Sequence, residues 1–294
     1  MTTRTKEQNG VATEALAGDQ GFSLISNEKL LQLYTSMVKC RMIGERVQAL
    51  MKRRSLAVKD DFAIGREAAL VGAAIDLLPE DTLAPSQTNL LVNFIRCLRP
   101  DPTISLLLAG GGGWETSGHQ FTAATDAAQS NKMDKNSKIV AVFRDCEAAS
   151  TESWNQALSL ADTKQLPMLF VRYSDGLEKL DVQTWAKEKA AWPYGFPSIT
   201  VDGSDVVAVY RVATEAITHA RKGNGPTLID CKRDRFDDHA EIDPILKMDA
   251  YLSRKGLFSK KSECDAVAAF SQKLNLAIEA AENAPSSDDL ESAI

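Results

Sequence analysis

Short apolar runs that alternate with helical stretches set the strongest limit on the fold of this 294-residue chain. The runs are rich in β-branched residues and cover positions 137–143 (SKIVAVF), 167–171 (PMLFV), 198–201 and 227–231 (TLIDC). Helices are predicted between them, over residues 154–163 and 206–221. Strands of this kind are buried on both faces of a sheet. The pattern therefore predicts an α/β fold: a doubly wound parallel sheet with helices on both faces.

The first third of the chain is predicted to be helical after a mobile arm. Residues 1–26 mix Thr, Gly, Gln and Glu without a period, which is typical of an unstructured arm. Apolar residues then recur at helical spacing, with Ser26 or Asn27 as the N-cap of a long amphipathic helix. A second helix is predicted over residues 65–78 (GREAALVGAAIDLL), whose small side chains permit close packing against another backbone.

Further features complete the predicted organisation. A helix is expected near residues 90–98, and the glycine run 110–113 is interpreted as a flexible connector because it completes no phosphate-binding fingerprint. Residues 27–285 are expected to form a single domain, followed by a polar tail at 286–294.

Composition excludes several classes of function. The net charge of −6 and the pI near 5.3 argue against a nucleic-acid-binding surface, which needs a dominant basic face. No apolar stretch approaches the roughly 18 residues of a membrane helix, and the N-terminus lacks the apolar core of a secretory signal, so no membrane association and a cytoplasmic location are expected. The five scattered cysteines indicate reduced thiols rather than a disulfide framework.

Polar side chains follow three of the predicted strands, where ligands bind in such sheets. The residues after position 143 are Arg144, Asp145 and Cys146, and those after position 171 include Ser174 and Asp175. The residues after position 231 include the segment 235–239 (RFDDH). Carboxylate and hydroxyl oxygens at adjacent strand ends could hold a magnesium ion. Aspartate is equally common at such places as a helix cap or a solvated loop residue, so both interpretations stay open for Asp145.

Several segments, taken together and in order, resemble a known family. They are residues 63–74 (AIGREAALVGAA), 81–86 (DTLAPS), 117–121 (SGHQF), 192–231 (containing VDGSDVVAVY and GPTLIDC) and 243–259 (DPILKMDAYLSRKGLFS). The chain resembles the alpha subunit of thiamine-diphosphate-dependent 2-oxo acid dehydrogenases of the pyruvate dehydrogenase type. The resemblance implies the thiamine-diphosphate-binding fold, with thiamine diphosphate and Mg²⁺ as cofactors. It also implies a beta subunit as the partner in a heterotetramer, and a lipoyl acyltransferase that receives the acyl group after oxidative decarboxylation of a 2-oxo acid such as pyruvate.

The cofactor motif of that family is altered in this chain. The family has a Gly-Asp-Gly triplet after one strand and an Asn-Asn pair after the next, whereas this chain has Arg144, Asp145 and Cys146, then Ser174 and Asp175. By resemblance Asp145 and Ser174 are the candidate metal ligands, and Arg144 and Cys146 join them as candidate cofactor contacts. Arg144 could serve as a counter-charge to Asp145, bind an anion, or be solvated.

Two histidines are the candidate catalytic residues. His119 and His239 lie at positions that line the cofactor and substrate in the family, although each could instead be structural. The loop around His239 reads RFDDHA, with Asp237 and Asp238 where the family has glycines. Two hypotheses follow: an alpha-type subunit of an active 2-oxo acid dehydrogenase, or a non-catalytic relative that keeps the fold as a structural or regulatory partner.

Overall fold

The computed structural model describes residues 25–53, 64–84, 119–145, 151–175, 193–233, 243–257 and 260–282. Within these ranges the chain forms seven helices and five strands. In chain order they are α1 (Asn27–Arg53), α2 (Glu67–Ala74), β1 (Thr82–Leu83), α3 (His119–Met133), β2 (Val140–Asp145), α4 (Thr151–Lys164), β3 (Met168–Asp175), β4 (Ser198–Asp202), α5 (Val206–Arg221), β5 (Thr227–Arg233), α6 (Pro244–Arg254) and α7 (Lys260–Glu282).

The strands form one parallel sheet in the order β1-β2-β3-β5-β4. Each connection between neighbouring parallel strands has to cross from one edge of the sheet to the other, and α4 does so between β2 and β3. The carboxyl ends of all five strands therefore lie together on one side of the sheet, which we call the carboxyl edge. The predicted α/β fold with a doubly wound parallel sheet is confirmed.

The sheet separates two hydrophobic layers because successive strand residues point to opposite faces. On one face, Phe143 and Val171 pack with α1, α2, α5, α6 and α7. On the other face, Val142 and Phe170 pack with α3 and α4. Both layers are closed by helices, which explains why the strands read as continuous apolar runs in the sequence.

The close packing predicted for the second helix is present between α2 and α5. A Cβ atom placed on Gly72 would lie 2.8 Å from the Cβ of Val209, closer than side chains tolerate. Glycine at this position lets the two helix backbones approach, and all eight residues of α2 are buried. This contact holds α2 against α5 and so fixes the position of the N-terminus of α2.

Several element boundaries differ from the predictions. Ser26 is the N-cap of α1, since its Oγ accepts a hydrogen bond from the Lys29 amide at 3.2 Å. The second helix is shorter than predicted, because a turn closes after Ala74 and the Asp81 carboxylate accepts a hydrogen bond from the Leu78 amide. The helices α3, α6 and α7 had no counterpart among the predictions.

The other predictions for this part of the chain concern residues outside those described. They are residues 1–24 of the arm predicted over 1–26, the helix near 90–98, the glycine run 110–113 and the tail 286–294. The last two residues of the predicted arm are described: Ile25 is buried and Ser26 caps α1. Among the helices in the described ranges, none combines the length and the apolar character that crossing a bilayer requires.

Candidate functional site

Three of the candidate cofactor residues, Arg144, Asp145 and Ser174, belong to the strands rather than to the loops after them. The sequence predicted strands ending at Phe143 and Val171, but β2 continues through Asp145 and β3 through Asp175. The parallel ladder persists because Asp145 pairs with Tyr173 on the neighbouring strand. The prediction that the loops begin directly after Phe143 and Val171 was therefore wrong, because charged residues continue the backbone pairing between the strands.

Arg144 is half-buried at the end of β2 and lies against an aromatic cluster. Its guanidinium carbon is 5.0 Å from the centroid of the Trp154 ring. Trp154, in the first turn of α4, makes edge-to-face contacts with Phe121 and Phe170 at 5.4 and 5.3 Å. A guanidinium over an indole face is favourable while keeping its positive charge. Arg144 therefore packs partly on an aromatic ring at the end of β2.

Arg172 occupies the matching position on β3 and is held by a buried carboxylate. Its backbone pairs with Arg144 on β2 and with Asp230 on β5. Its Nε and one terminal nitrogen donate to the two carboxylate oxygens of Asp230, at 3.0 and 2.6 Å. Asp230 is only 2% exposed, so the paired geometry satisfies a carboxylate that burial would otherwise destabilise. This pair was not predicted, because its only signal in the sequence is Arg172 directly after one apolar run and Asp230 within another.

A third arginine lies near the same strand ends on the opposite face of the sheet. The Tyr173 hydroxyl donates to the Gly65 carbonyl at 3.3 Å, and the Arg66 guanidinium carbon is 4.7 Å from the Tyr173 ring centroid. Since Tyr173 pairs with Asp145, these contacts hold the start of α2 beside the end of β2. This contact was also missed, because it joins residues more than one hundred positions apart.

A buried ion network fixes that start of α2 in place. The Glu67 side chain is fully buried and accepts hydrogen bonds from the Arg41 guanidinium and from the Gly65 amide. Arg41 also donates to Asp243, at 2.9 Å, just before α6. Hydrogen bonding to Glu67 and Asp243 outweighs burial and raises the pKa of Arg41, so the guanidinium stays charged. The network therefore joins α1, α2 and α6 beneath the carboxyl edge.

The end of β4 carries a second polar cluster at the same edge. Asp202 accepts hydrogen bonds from the amide and hydroxyl of Ser204, at 2.8 and 2.7 Å, and an ion pair joins it to Lys247 of α6. Burial alone would raise the pKa of Asp202, but the hydrogen bonds from Lys247 and Ser204 outweigh it and hold that pKa below its usual value. The cluster fixes the turn between β4 and α5.

Changing Asp202 to Asn is expected to remove part of the acid sensitivity of the fold. A carboxyl whose folded-state pKa is lowered contributes stability above its unfolded pKa of about 3.9 and loses it as pH falls through the folded value. The wild-type chain should therefore lose up to about 1 kcal/mol more stability than the variant on going from pH 6 to below pH 4, the amount being small because the pair is about a third exposed. Urea unfolding at several pH values measures this difference, and parallel pH profiles for the two proteins would contradict it.

The structure brings several of the predicted site residues to one edge. Asp145 pairs with Tyr173, the residue before Ser174, so the backbones of the two candidate metal ligands are adjacent. His119 begins α3, whose first-turn residue Phe121 contacts Trp154, which places the start of this helix at the carboxyl edge as well. The remaining two candidates, Cys146 and His239, lie outside the described residues.

The residues at this edge do not fit the magnesium and diphosphate group that the family motif holds. Arg144 stands where the motif has a glycine that lets the backbone approach a phosphate, and its side chain packs on Trp154. Positive guanidinium groups beside a divalent cation are unfavourable. The donor set thus disagrees with a magnesium site of the family's kind.

Comparison with known proteins points to the same family as the fold and the sequence segments quoted above. The family described as "Dehydrogenase E1 component" matches residues 111–284. The 3-methyl-2-oxobutanoate dehydrogenase subunit alpha of Mycobacterium tuberculosis is 32% identical over 279 residues, which cover 81% of this chain and 74% of that protein. Two alpha subunits of Bacillus subtilis are also similar. They are the acetoin:2,6-dichlorophenolindophenol oxidoreductase subunit, 25% identical over 89% of this chain and 90% of its own length, and the 2-oxoisovalerate dehydrogenase subunit, 27% identical over 89% and 93%.

Proposed function

This chain belongs to the dehydrogenase E1 component family, as an alpha-type subunit of the 2-oxo acid dehydrogenases, and from that premise we propose that it pairs with a beta subunit while having lost most or all of its cofactor-dependent decarboxylation. The family uses thiamine diphosphate, which supplies the carbanion chemistry when it is bound. Assembly and catalysis are separable properties of such a subunit. The fold of this chain supports assembly with a beta subunit. The residues at its strand ends argue against catalysis.

The observation that carries the proposal is the position of Arg144. A family member needs a glycine there, whereas this chain has an arginine whose guanidinium packs on Trp154. On the adjacent strand Arg172 forms a two-hydrogen-bond ion pair with Asp230. A charged row of this kind stabilises the strand ends from within the chain. It supports a subunit that folds without magnesium and thiamine diphosphate.

Pairing with a beta subunit follows the organisation of the family. Alpha-type subunits of these dehydrogenases assemble with a beta-type chain, and we propose a heterotetramer for this one, built on a single domain over residues 27–285. Under this proposal the chain serves as a structural or regulatory alpha-type partner. A lipoyl acyltransferase would be a partner only of an assembly that retains catalysis.

Retention of Asp145 favours the alternative of an active enzyme. Its backbone lies next to Tyr173, one residue before Ser174, where the family holds its metal. Under this alternative Asp145 and Ser174 would be the metal ligands, and His119 and His239 would line the substrate. The substrate would be a 2-oxo acid of the class named for the relatives, such as 3-methyl-2-oxobutanoate.

Co-expression of the full chain with the beta subunit of its own organism tests both parts of the proposal. Size-exclusion chromatography with light scattering should show a stable complex of both chains. Titration calorimetry of this complex should show no magnesium-dependent binding of thiamine diphosphate, and no CO₂ should be released from 3-methyl-2-oxobutanoate or pyruvate. The Mycobacterium tuberculosis alpha subunit with its own beta subunit is the positive control. Separate elution of the two chains would reject the pairing, and tight magnesium-dependent binding would reject the loss of catalysis.

A further inference from the structure

We propose that Asn224 is a site of spontaneous deamidation, at which the folded chain converts an asparagine to aspartate or isoaspartate. The residue that follows, Gly225, supplies the attacking backbone nitrogen. Glycine lacks the side chain that hinders this attack at other residues, and asparagine is one of the thermolabile residue types. The inference goes beyond the proposed pairing and loss of catalysis and is independent of both.

Asn224 lies in the turn between α5 and β5, and its backbone is fixed on the N-terminal side. The Gly223 amide donates to the Ala220 carbonyl at 2.9 Å, and the Asn224 amide donates to the His219 carbonyl at 3.2 Å. With Gly223 at a φ of +75°, these bonds form a Schellman motif that ends α5. The motif uses only the backbone of Asn224. Its side chain is exposed and makes no hydrogen bond within the part of the chain that the structure describes.

The packing of Gly225 fixes the C-terminal side of Asn224. Gly225 is buried and has a φ of +97°, and a Cβ atom at this position would clash with the side-chain carbonyl of Gln165. Any other residue would therefore be strained here, so the fold retains the residue type that permits the fastest attack. Among the described residues the Gly225 amide has no hydrogen-bond acceptor. Attack by its nitrogen therefore breaks no backbone hydrogen bond.

The reaction needs water as its only co-reactant. The nitrogen of Gly225 forms a bond to Cγ of Asn224 and the Cγ–Nδ2 bond breaks, so that a succinimide ring remains. The proton of the Gly225 amide passes through solvent to the departing nitrogen, which leaves as ammonia. Water then opens either carbonyl bond of the ring. One opening gives aspartate, and the other gives isoaspartate, whose backbone runs through the side-chain carbon.

Either product should loosen the end of α5. A carboxylate is unfavourable there, because the C-terminus is the negative end of the helix dipole. Isoaspartate also adds one backbone carbon between the Schellman motif and Gly225, both of which are fixed. In the last turn of α5, Arg221 holds the buried Asp81 carboxylate at 2.9 Å, and Asp81 also accepts from the Ile139 amide. A distortion at the end of α5 therefore reaches the starts of β1 and β2.

Asn136 is the internal comparison, because its side chain is held at both ends. Its Oδ1 accepts a hydrogen bond from the Lys138 amide at 3.1 Å, and its Nδ2 donates to Asn131 at 3.3 Å. The residue that follows it is Ser137, whose side chain crowds the attacking nitrogen. Asn136 should therefore stay an amide while Asn224 reacts.

Peptide mapping by mass spectrometry tests the proposal on the full chain after timed incubation at mildly alkaline pH. The peptide with Asn224 should gain the mass difference between an amide and an acid and separate chromatographically into aspartate and isoaspartate forms. Its rate should be at least about tenfold higher than that of Asn136, since the next residue there carries a side chain. A synthetic peptide of residues 222–228 (KGNGPTL) sets the incubation time, and the second Asn-Gly pair, at residues 9–10, is mapped separately.

Asn224→Gln is the matched variant, because it keeps an exposed amide but places it one methylene farther from the backbone nitrogen. Incubated wild-type chain should unfold about 2 °C or more below fresh chain. Incubated Asn224→Gln should not lose this stability, although residues 9–10 are unchanged in it. The proposal is overturned if Asn224 stays an amide after the synthetic peptide has reacted, if Asn136 reacts equally fast, or if wild type and Asn224→Gln lose the same stability.

Discussion

Replacing Arg41 by methionine is expected to lower the free energy of unfolding by about 3 to 5 kcal/mol. Glu67 is fully buried, and Arg41 supplies its ionic partner as well as a link to Asp243. Methionine keeps the apolar length of the side chain but leaves the Glu67 charge without its cation in a buried position. Urea unfolding monitored by circular dichroism at neutral pH measures the change.

The matched control is Arg46→Met on the same helix. Arg46 is exposed, so the same substitution there should change stability by no more than about 0.5 kcal/mol. The double variant Arg41→Met with Glu67→Leu should recover part of the loss, because replacing both charges by apolar groups removes the unpaired carboxylate. Equal losses at Arg41 and Arg46, or no recovery in the double variant, would contradict the account of Glu67 as a buried charge that depends on Arg41.

Local sequence signals predicted much of the architecture. The helix over residues 206–221 has the predicted bounds because Asp205 caps it, accepting hydrogen bonds from the amides of Val207 and Ala208. Four of the five strands were predicted because residues buried on both faces are apolar throughout. The two-residue strand β1 (Thr82–Leu83) had no counterpart among the predictions. In contrast, α3 was missed, since the sequence HQFTAATDAAQSNKM buries a narrow face formed by small residues and Phe121.

The ends of the strands were harder to predict, and the reason lies in tertiary contacts. An arginine after an apolar run is normally taken as the start of a loop. Here Arg144 and Arg172 continue the ladder because Trp154 and Asp230 receive their guanidinium groups. Trp154 belongs to the following helix and Asp230 to a distant strand, so no local pattern contains the information. The sequence pointed to Arg144 but not to Arg172 or Asp230, and it could not assign the environment of any of them.

The contribution of Arg66 illustrates the same limit. The segment GREAALVGAA was predicted as a helix on its small residues, and α2 confirmed that helix. Arg66, the residue before α2, lies over the Tyr173 ring, and α2 itself is held by its packing on α5 at Gly72 and by the ion pair between Arg41 and Glu67. Two contacts outside the site therefore fix the position of Arg66. The position of the Arg66 guanidinium beside Tyr173 therefore depends on packing contacts elsewhere in the fold.

Restoring the family motif is expected to raise magnesium-dependent affinity for thiamine diphosphate by at least about a hundredfold, or ~2.8 kcal/mol. The variant combines Arg144→Gly, Cys146→Gly, Ser174→Asn and Asp175→Asn. It removes one guanidinium from the edge, lets the backbone approach the phosphates and supplies amide oxygens for a hard cation. Calorimetry with and without Mg²⁺, on the chain in complex with its beta subunit, measures the gain.

Asp145→Asn in the restored background is the control: it should abolish the magnesium-dependent gain, since Asp145 is the one carboxylate of the motif that this chain retains. Thermal unfolding must show a folded chain, given that Arg144→Gly removes packing on Trp154. A folded variant that gains no magnesium-dependent binding would show that Arg144, Cys146, Ser174 and Asp175 are not what separates this chain from its cofactor-binding relatives.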